Sequence, residues 1–176
     1  AETIKDIDAD ILLMSEVGGK DSLENFNKYF LQDSYIPAII EGNSTRGIDL
    51  AYLIKPHLNF EINSYKKHRF PLKVDNGIKN VGFSRDVVEV EIKEPKLKVW
   101  CVHLKSKLHS EGDYEGSTRR QAEVEALIKL SQKYGHKYPL VIGGDFNGIA
   151  SGKERDPEFK AFERTTLKSM HELIDS

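Results

Sequence analysis

Residues 85–104 restrict what this chain can fold into more than any other stretch. Within 85–93, Val88, Val90 and Ile92 fall on one side of an extended backbone, and Glu89, Glu91 and Lys93 fall on the other. A fuller apolar run follows at 97–104, Leu97-Lys98-Val99-Trp100-Cys101-Val102-His103-Leu104, with Glu94-Pro95-Lys96 between the two. A helix cannot place a period-two pattern on one face. The pair is therefore expected as an antiparallel hairpin inside a sheet, turning at Glu94-Pro95-Lys96.

Other segments alternate strand and helix signals around this hairpin. Residues 10–16 begin polar, turn apolar through Ile11-Leu12-Leu13-Met14 and reach Glu16 ahead of Gly18-Gly19, which reads as a buried strand. Leu23, Phe26 and Phe30 have helical spacing within 21–30, with Asp21 or Ser22 as candidate N-cap. Residues 48–55 read as a strand stopped by Pro56. A long helix is expected over 119–134, capped by Ser117 or Thr118, ended by Gly135, with Ala122, Leu127 and Leu130 inward. Residues 139–143 form a short apolar strand running into Gly144-Asp145, and a last helix is expected at 156–163. Segments 43–47, 106–117 and 147–157 read as polar loops. Pattern alone supports a mixed α/β class.

There is no repeat, low-complexity stretch or linker, so one domain is expected over 1–176. With 39% hydrophobic and 31% charged residues the composition is that of a globular chain, expected as a monomer without a membrane span. Twenty-six Lys and Arg against 28 Asp and Glu leave a net charge of -2. A chain that held nucleic acid by bulk charge would be more basic, so phosphate contacts should be local. Cys101 is the only cysteine, which excludes an intramolecular disulfide and a Cys-rich zinc site; its apolar run suits a buried thiol. No signal peptide opens the sequence, and cytoplasmic or secreted location both stay open.

The residues able to carry chemistry share one placement, at or near the end of an apolar strand. Glu16 ends the first, His103 lies near the end of the Trp100 strand, and Asp145 with Asn147 follows Leu140-Val141-Ile142. Singly, each is an ordinary turn, cap or core residue. Together, two carboxylates, an amide and an imidazole at strand ends make an oxygen-rich site suited to Mg²⁺ or Mn²⁺ rather than zinc. Glycines at 143, 144 and 148 allow close approach around Asp145. The basic run Lys66-Lys67-His68-Arg69, with Lys73 beyond, reads as a solvated loop ahead of a phosphate track. Arg119-Arg120 reads as a solvent-facing pair and Trp100 as core.

Five segments, in order, resemble the motifs of the endonuclease/exonuclease/phosphatase family, of deoxyribonuclease-I-like type. They are Asp10-Ile11-Leu12-Leu13-Met14-Ser15-Glu16-Val17, with Ser15 where Gln is usual, and Arg46-Gly47-Ile48-Asp49-Leu50-Ala51-Tyr52. Phe83-Ser84-Arg85-Asp86, Val102-His103-Leu104-Lys105-Ser106 and Gly143-Gly144-Asp145-Phe146-Asn147 complete the set. The resemblance implies a layered α/β sandwich of two mostly antiparallel sheets flanked by helices. It also implies divalent-metal-dependent hydrolysis of a phosphoester, with Mg²⁺ and with Mn²⁺ or Ca²⁺ as alternatives.

By that resemblance Glu16 would bind the metal, Asp49 would support His103, Arg85 would approach the phosphate, and Asp145 and Asn147 would serve the attacking water and the phosphate. The Phe83-Ser84-Arg85 segment favours a nuclease acting on nucleic acid. A phosphatase or phospholipase C acting on phosphoinositide, sphingomyelin or nucleotide is the alternative, and a non-catalytic binding module the rival class. The family's leading strand with its asparagine and its closing strand with an Asp-His pair are not found; His171 does not match the latter. The expectation is thus a family domain incomplete at both ends.

Overall fold

A computed structural model describes residues 1–108, 113–134, 138–150, 152 and 154–167. In chain order they form α1 (Glu2–Ile7), β1 (Ile11–Val17), α2 (Lys20–Leu31), β2 (Ile36–Ile39) and β3 (Asp49–Ile54). Then come β4 (Phe60–Ser64), β5 (Phe70–Val74), β6 (Gly77–Val81), β7 (Val87–Ile92) and β8 (Leu97–His103). A 3₁₀ turn at Tyr114–Gly116, α3 (Ser117–Tyr134), β9 (Leu140–Asp145) and a 3₁₀ helix at Pro157–Arg164 complete the order.

The expected hairpin is β7–β8, with Ile92 opposite Leu97 and Val87 opposite Val102. It forms the centre of a four-stranded sheet, β4-β7-β8-β9, while β1-β3-β2 forms a second sheet and β5-β6 a separate hairpin. All pairings are antiparallel except β8 with β9. Strand alternation builds the layers. Val88, Val90, Ile92, Val99 and Cys101 meet Leu50, Tyr52 and Ile54 between the sheets. Ala51 and Leu53 face the other way, onto Leu23 and Leu31 of α2. Val87, Trp100 and Val102 pack on Val124, Leu127 and Leu130 of α3. The result is the expected layered sandwich, helix–sheet–sheet–helix. Across its middle the buried Tyr52 hydroxyl lies 2.7 and 2.9 Å from the carbonyls of Val88 and Val99, coupling the two sheets.

Several local expectations need correction. Glu89 does not face water: it is 2% exposed and accepts hydrogen bonds from Trp100 Nε1, Lys98 Nζ and Tyr65 Oη. The outer face of β7 lies beneath α3, which period two cannot report. Arg120 is buried likewise, its Nε 2.9 Å from Glu158 Oε1, and Arg119 Nε lies 3.3 Å from Glu123 Oε1. The α3 amides of Thr118 and Arg119 donate to Asp113, not to Ser117 or Thr118. Gly19 caps α2 without a side-chain bond. The last helix is 3₁₀ in form. Strands β2, β4, β5 and β6 were not expected: β2 and β4 are short edges, β2 and β5 carry Pro37 and Pro71, and β6 is almost wholly exposed. Gly135 and His171 lie outside the described residues. Trp100 and Cys101 are core as expected, and burial pushes the Cys101 thiol up to about 12. Among the described residues no helix is long and apolar enough to cross a membrane.

Candidate active site

The strand register gathers the candidate residues at one end of the sandwich. His103 and Asp145 are in-register neighbours on parallel β8 and β9, with Nε2 and Oδ2 3.6 Å apart. The imidazole is buried and the carboxylate is 48% exposed, so Asp145 presents one face to solvent and the other to His103. The turn beyond is tightly built. Asn147 N donates to Asp145 Oδ1 at 2.8 Å, and Asn147 Nδ2 donates to Leu104 O at 3.0 Å. Leu104 N in turn donates to Asp145 O at 2.9 Å, fastening the ends of β8 and β9 together. Gly144 is required here: its φ is +127°, and a Cβ would lie 2.1 Å from Val102 O.

Asp49 reaches the same end through β3. It pairs with Val17, and its Oδ1 accepts from Gly42 N at 2.8 Å. Gly42 abuts Asp86 and Arg85, and Asn43 N donates to Arg85 O at 2.8 Å. Because Val87 opposite Val102 puts Arg85 and Asp86 beside the His103 end of β8, these contacts join Asp49 to that end. The structure brings Asp145, not Asp49, against His103; no hydrogen bond joins Asp49 to His103 among the described residues.

Glu16 lies in an irregularity of β1 between Met14 and Val17, one residue from the Val17–Asp49 pair. Its φ is +58°, a left-handed conformation costing a non-glycine residue about 1 kcal/mol or more. The carboxylate is exposed and makes no hydrogen bond or ion pair among the described residues. Among the described residues no group of three or more His, Cys, Asp or Glu is placed to hold a metal. Zinc, which takes three or four protein ligands, is poorly matched by that donor set. Mg²⁺ is commonly held by one or two carboxylates with waters and substrate oxygens, and Glu16 fits as one such ligand.

Arg85 is half-buried. Its Nη1 donates to Ser84 O at 3.2 Å, while Nε is shielded from solvent with no acceptor among the described residues. A buried guanidinium N–H without a partner is uncommon and suits an arginine that meets an anion.

No family model matches the sequence, and no curated protein does. Solved structures do. The catalytic domain of human Nocturnin, solved with a bound sulfate anion, aligns with 98% of this chain at 21% identity and a TM-score of 0.61. Truncated Caenorhabditis elegans TDP2 aligns with 83% at 21% identity and a TM-score of 0.55. ANGEL2, a 2',3'-cyclic phosphatase in complex with adenosine-2',3'-vanadate, aligns with 92% at 19% identity and a TM-score of 0.53. This is the endonuclease/exonuclease/phosphatase fold. The chain spans 63%, 52% and 45% of those three chains respectively.

Two residues at this end of the fold escaped the sequence reading of the site. Glu123, fully buried on α3, accepts from Ser84 N and Lys105 N, both at 2.7 Å, so one carboxylate ties the Arg85 segment to the segment after His103. Its only sequence signal is an acidic residue on the inner side of a helix. Asp86 is the other. Burial pushes its carboxyl from 3.8 up to about 6, against hydrogen bonds from Ser64 Oγ at 2.5 Å and Val87 N at 2.7 Å that pull it down.

Because the folded state holds the Asp86 proton more tightly than the unfolded chain, stability falls as pH rises from 3.8 to about 6 and stays reduced above. The shift corresponds to a penalty of up to about 3 kcal/mol. Asp86→Asn keeps an acceptor for Val87 N and a partner for Ser64. It is therefore expected to raise unfolding free energy at pH 8 by about 1–3 kcal/mol and to change it little at pH 4. Urea unfolding at both pH values checks this; a variant less stable at pH 8 than the parent would show that the charged carboxylate is needed for the fold.

Proposed function

We propose that this chain carries the centre of a divalent-metal-dependent phosphoester hydrolase acting on phosphodiesters of nucleic acid. The observation that supports it most is the pairing of half-exposed Asp145 with buried His103 at adjacent strand ends. An exposed carboxylate on a rigid turn is suited to orient a water and take its proton. His103, with that carboxylate beside it, is suited to contact the phosphate or pass a proton. Asn147 retains a second amide N–H for a phosphoryl oxygen, and the unpaired Arg85 Nε offers a charged donor. Asp49, bonded to Gly42 N, holds the 42–43 loop against Arg85. Glu16 would hold the metal, which when bound neutralises phosphoryl oxygens and stabilises the leaving oxygen.

The nuclease preference rests on the Phe83-Ser84-Arg85 segment. A panel of plasmid DNA, single-stranded RNA, sphingomyelin and phosphoinositides, each with Mg²⁺, tests it. Cleavage of a nucleic acid, lost with excess chelator and restored by Mg²⁺, is expected. Turnover of a lipid substrate alone would move the assignment to a phospholipase or phosphatase. No turnover together with no Mg²⁺ or Mn²⁺ binding in a calorimetric titration would leave a non-catalytic binding module.

A further inference from the structure

Beside the candidate active site runs a second concavity, a groove of about 590 Å³ between the β5–β6 hairpin and the first turn of α3. At one end it is lined by Ser84, which precedes Arg85, and by Lys105, which lies two residues beyond His103. The groove therefore starts where the candidate site stops. Its floor is apolar, from Leu72, Val74 and Val81, and Lys73 and Lys79 line it as cations with no partner among the described residues. Lys105 Nζ donates to the carbonyls of Ser106 and Leu108, and Arg119 is paired with Glu123. Two carboxylates line it as well, Asp75 and Asp113, and both oxygens of Asp113 already accept amides of α3. The unpaired positive charge over this apolar floor therefore comes from the two hairpin lysines, in a chain whose overall charge is -2. Its walls are also well anchored: Glu123 holds Arg119 Nε and the amides of Ser84 and Lys105.

This combination matches a ligand with an apolar flat part and an anionic backbone. A volume of this size takes a small ligand, about that of one unpaired nucleotide. We infer that the groove receives an unpaired nucleotide flanking the phosphate at Asp145, so that the substrate is a single nucleic-acid strand; this rests on the phosphoester-hydrolase reading above. Lys79, opposite Leu72 on the floor face of the hairpin, and Lys73, at the rim on its other face, meet the backbone on the far side of the base. Lys73 thus has a phosphate role that the basic run Lys66-Lys67-His68-Arg69 does not share. In that run Lys66 Nζ and Arg69 Nη1 are taken up by backbone carbonyls, and the His68 ring packs on Phe83.

Lys73 and Lys79 are exposed on the hairpin, so the double variant K73A/K79A is expected to fold normally. A control, K20A/K28A on α2, removes the same charge from the opposite outer layer. Anisotropy of labelled single-stranded DNA and RNA hexamers is measured against salt for all three proteins in Mg²⁺. Hydrolysis of bis(4-nitrophenyl) phosphate is followed in parallel. The groove variant is expected to bind the hexamers about tenfold more weakly, with the salt slope reduced by about 0.7 for each lysine lost. The control is expected to bind as the parent does, and turnover of the small diester is expected to stay within about twofold in every variant. Unchanged hexamer binding by the groove variant, or an equal loss in the control, would overturn the groove assignment. Duplex hexamers bound as tightly as single strands would overturn it too. Failure of the parent to hydrolyse the small diester counts against the hydrolase reading alone, because the anisotropy arm still reports on the groove.

Discussion

Asp145→Asn is expected to lower kcat for Mg²⁺-dependent phosphoester hydrolysis by about 10²- to 10⁴-fold, the contribution usual for a positioned general base. Asparagine preserves the shape of the site. Its carbonyl oxygen can still accept from Asn147 N, and the substitution does not touch the Leu104 N–Asp145 O bond. The Asp145–His103 contact is half in solvent, so its loss should change stability by less than about 1 kcal/mol. Activity and stability are thereby separated. Initial rates on the best substrate of the panel, with a thermal melt of the same sample, make the measurement. Hydrolysis at the parent rate by a folded Asp145→Asn protein would remove Asp145 from the chemistry and with it the proposed mechanism.

The largest effect on the fold is expected at Glu89. This carboxylate lies beneath α3 and takes hydrogen bonds from Lys98 Nζ, at 3.1 Å to both oxygens, from Trp100 Nε1 at 2.6 Å and from Tyr65 Oη at 3.0 Å. Glu89→Ala leaves a nearly buried ammonium, with Glu91 Oε2 at 3.5 Å as its other carboxylate contact, and takes the acceptor from three further donors, Trp100 Nε1, Tyr65 Oη and Asn63 Nδ2. The expected loss is about 3–5 kcal/mol, a large share of the roughly 5–15 kcal/mol that holds a domain together. Replacing Glu89 and Lys98 together by methionine should cost much less, because the uncompensated charge then goes with its partner. Urea unfolding of Glu89→Met, Lys98→Met and the double variant gives the coupling. Strict additivity would show that Glu89 and Lys98 do not act as a pair.

Glu89 also marks where sequence reasoning stopped. Period two located β7, a fuller apolar run located β8, and alternation separated Val88, Val90 and Ile92 from Glu89 and Glu91, because it is a property of the extended backbone itself. Whether the second face meets water depends on what packs over it, and α3 comes from residues 117–134, distant in sequence. Arg120 was misread for the same reason: Glu158, which neutralises it, lies 38 positions away. Phe70, Leu72 and Val74 alternate in β5, but Pro71 interrupts so short a run and Gly77-Ile78-Lys79-Asn80 gives β6 no period, so the hairpin that forms one wall of the groove left only a weak pattern.

For the candidate site the division is similar. Chemical identity was legible locally: Asp145 and Asn147 after an apolar strand, His103 at the end of another, Glu16 before a double glycine, and glycine at 144 where no side chain fits. Local sequence determined the elements and the residue types at their ends, since backbone periodicity and steric allowance act over a few residues. Partnership was decided by tertiary structure alone. Parallel register set Asp145 beside His103, the β1 irregularity turned Glu16 outward, and a buried glutamate on α3 tied the Arg85 segment to the one after His103. Those pairings depend on strand order and on burial by remote segments, quantities that no stretch of neighbouring residues contains.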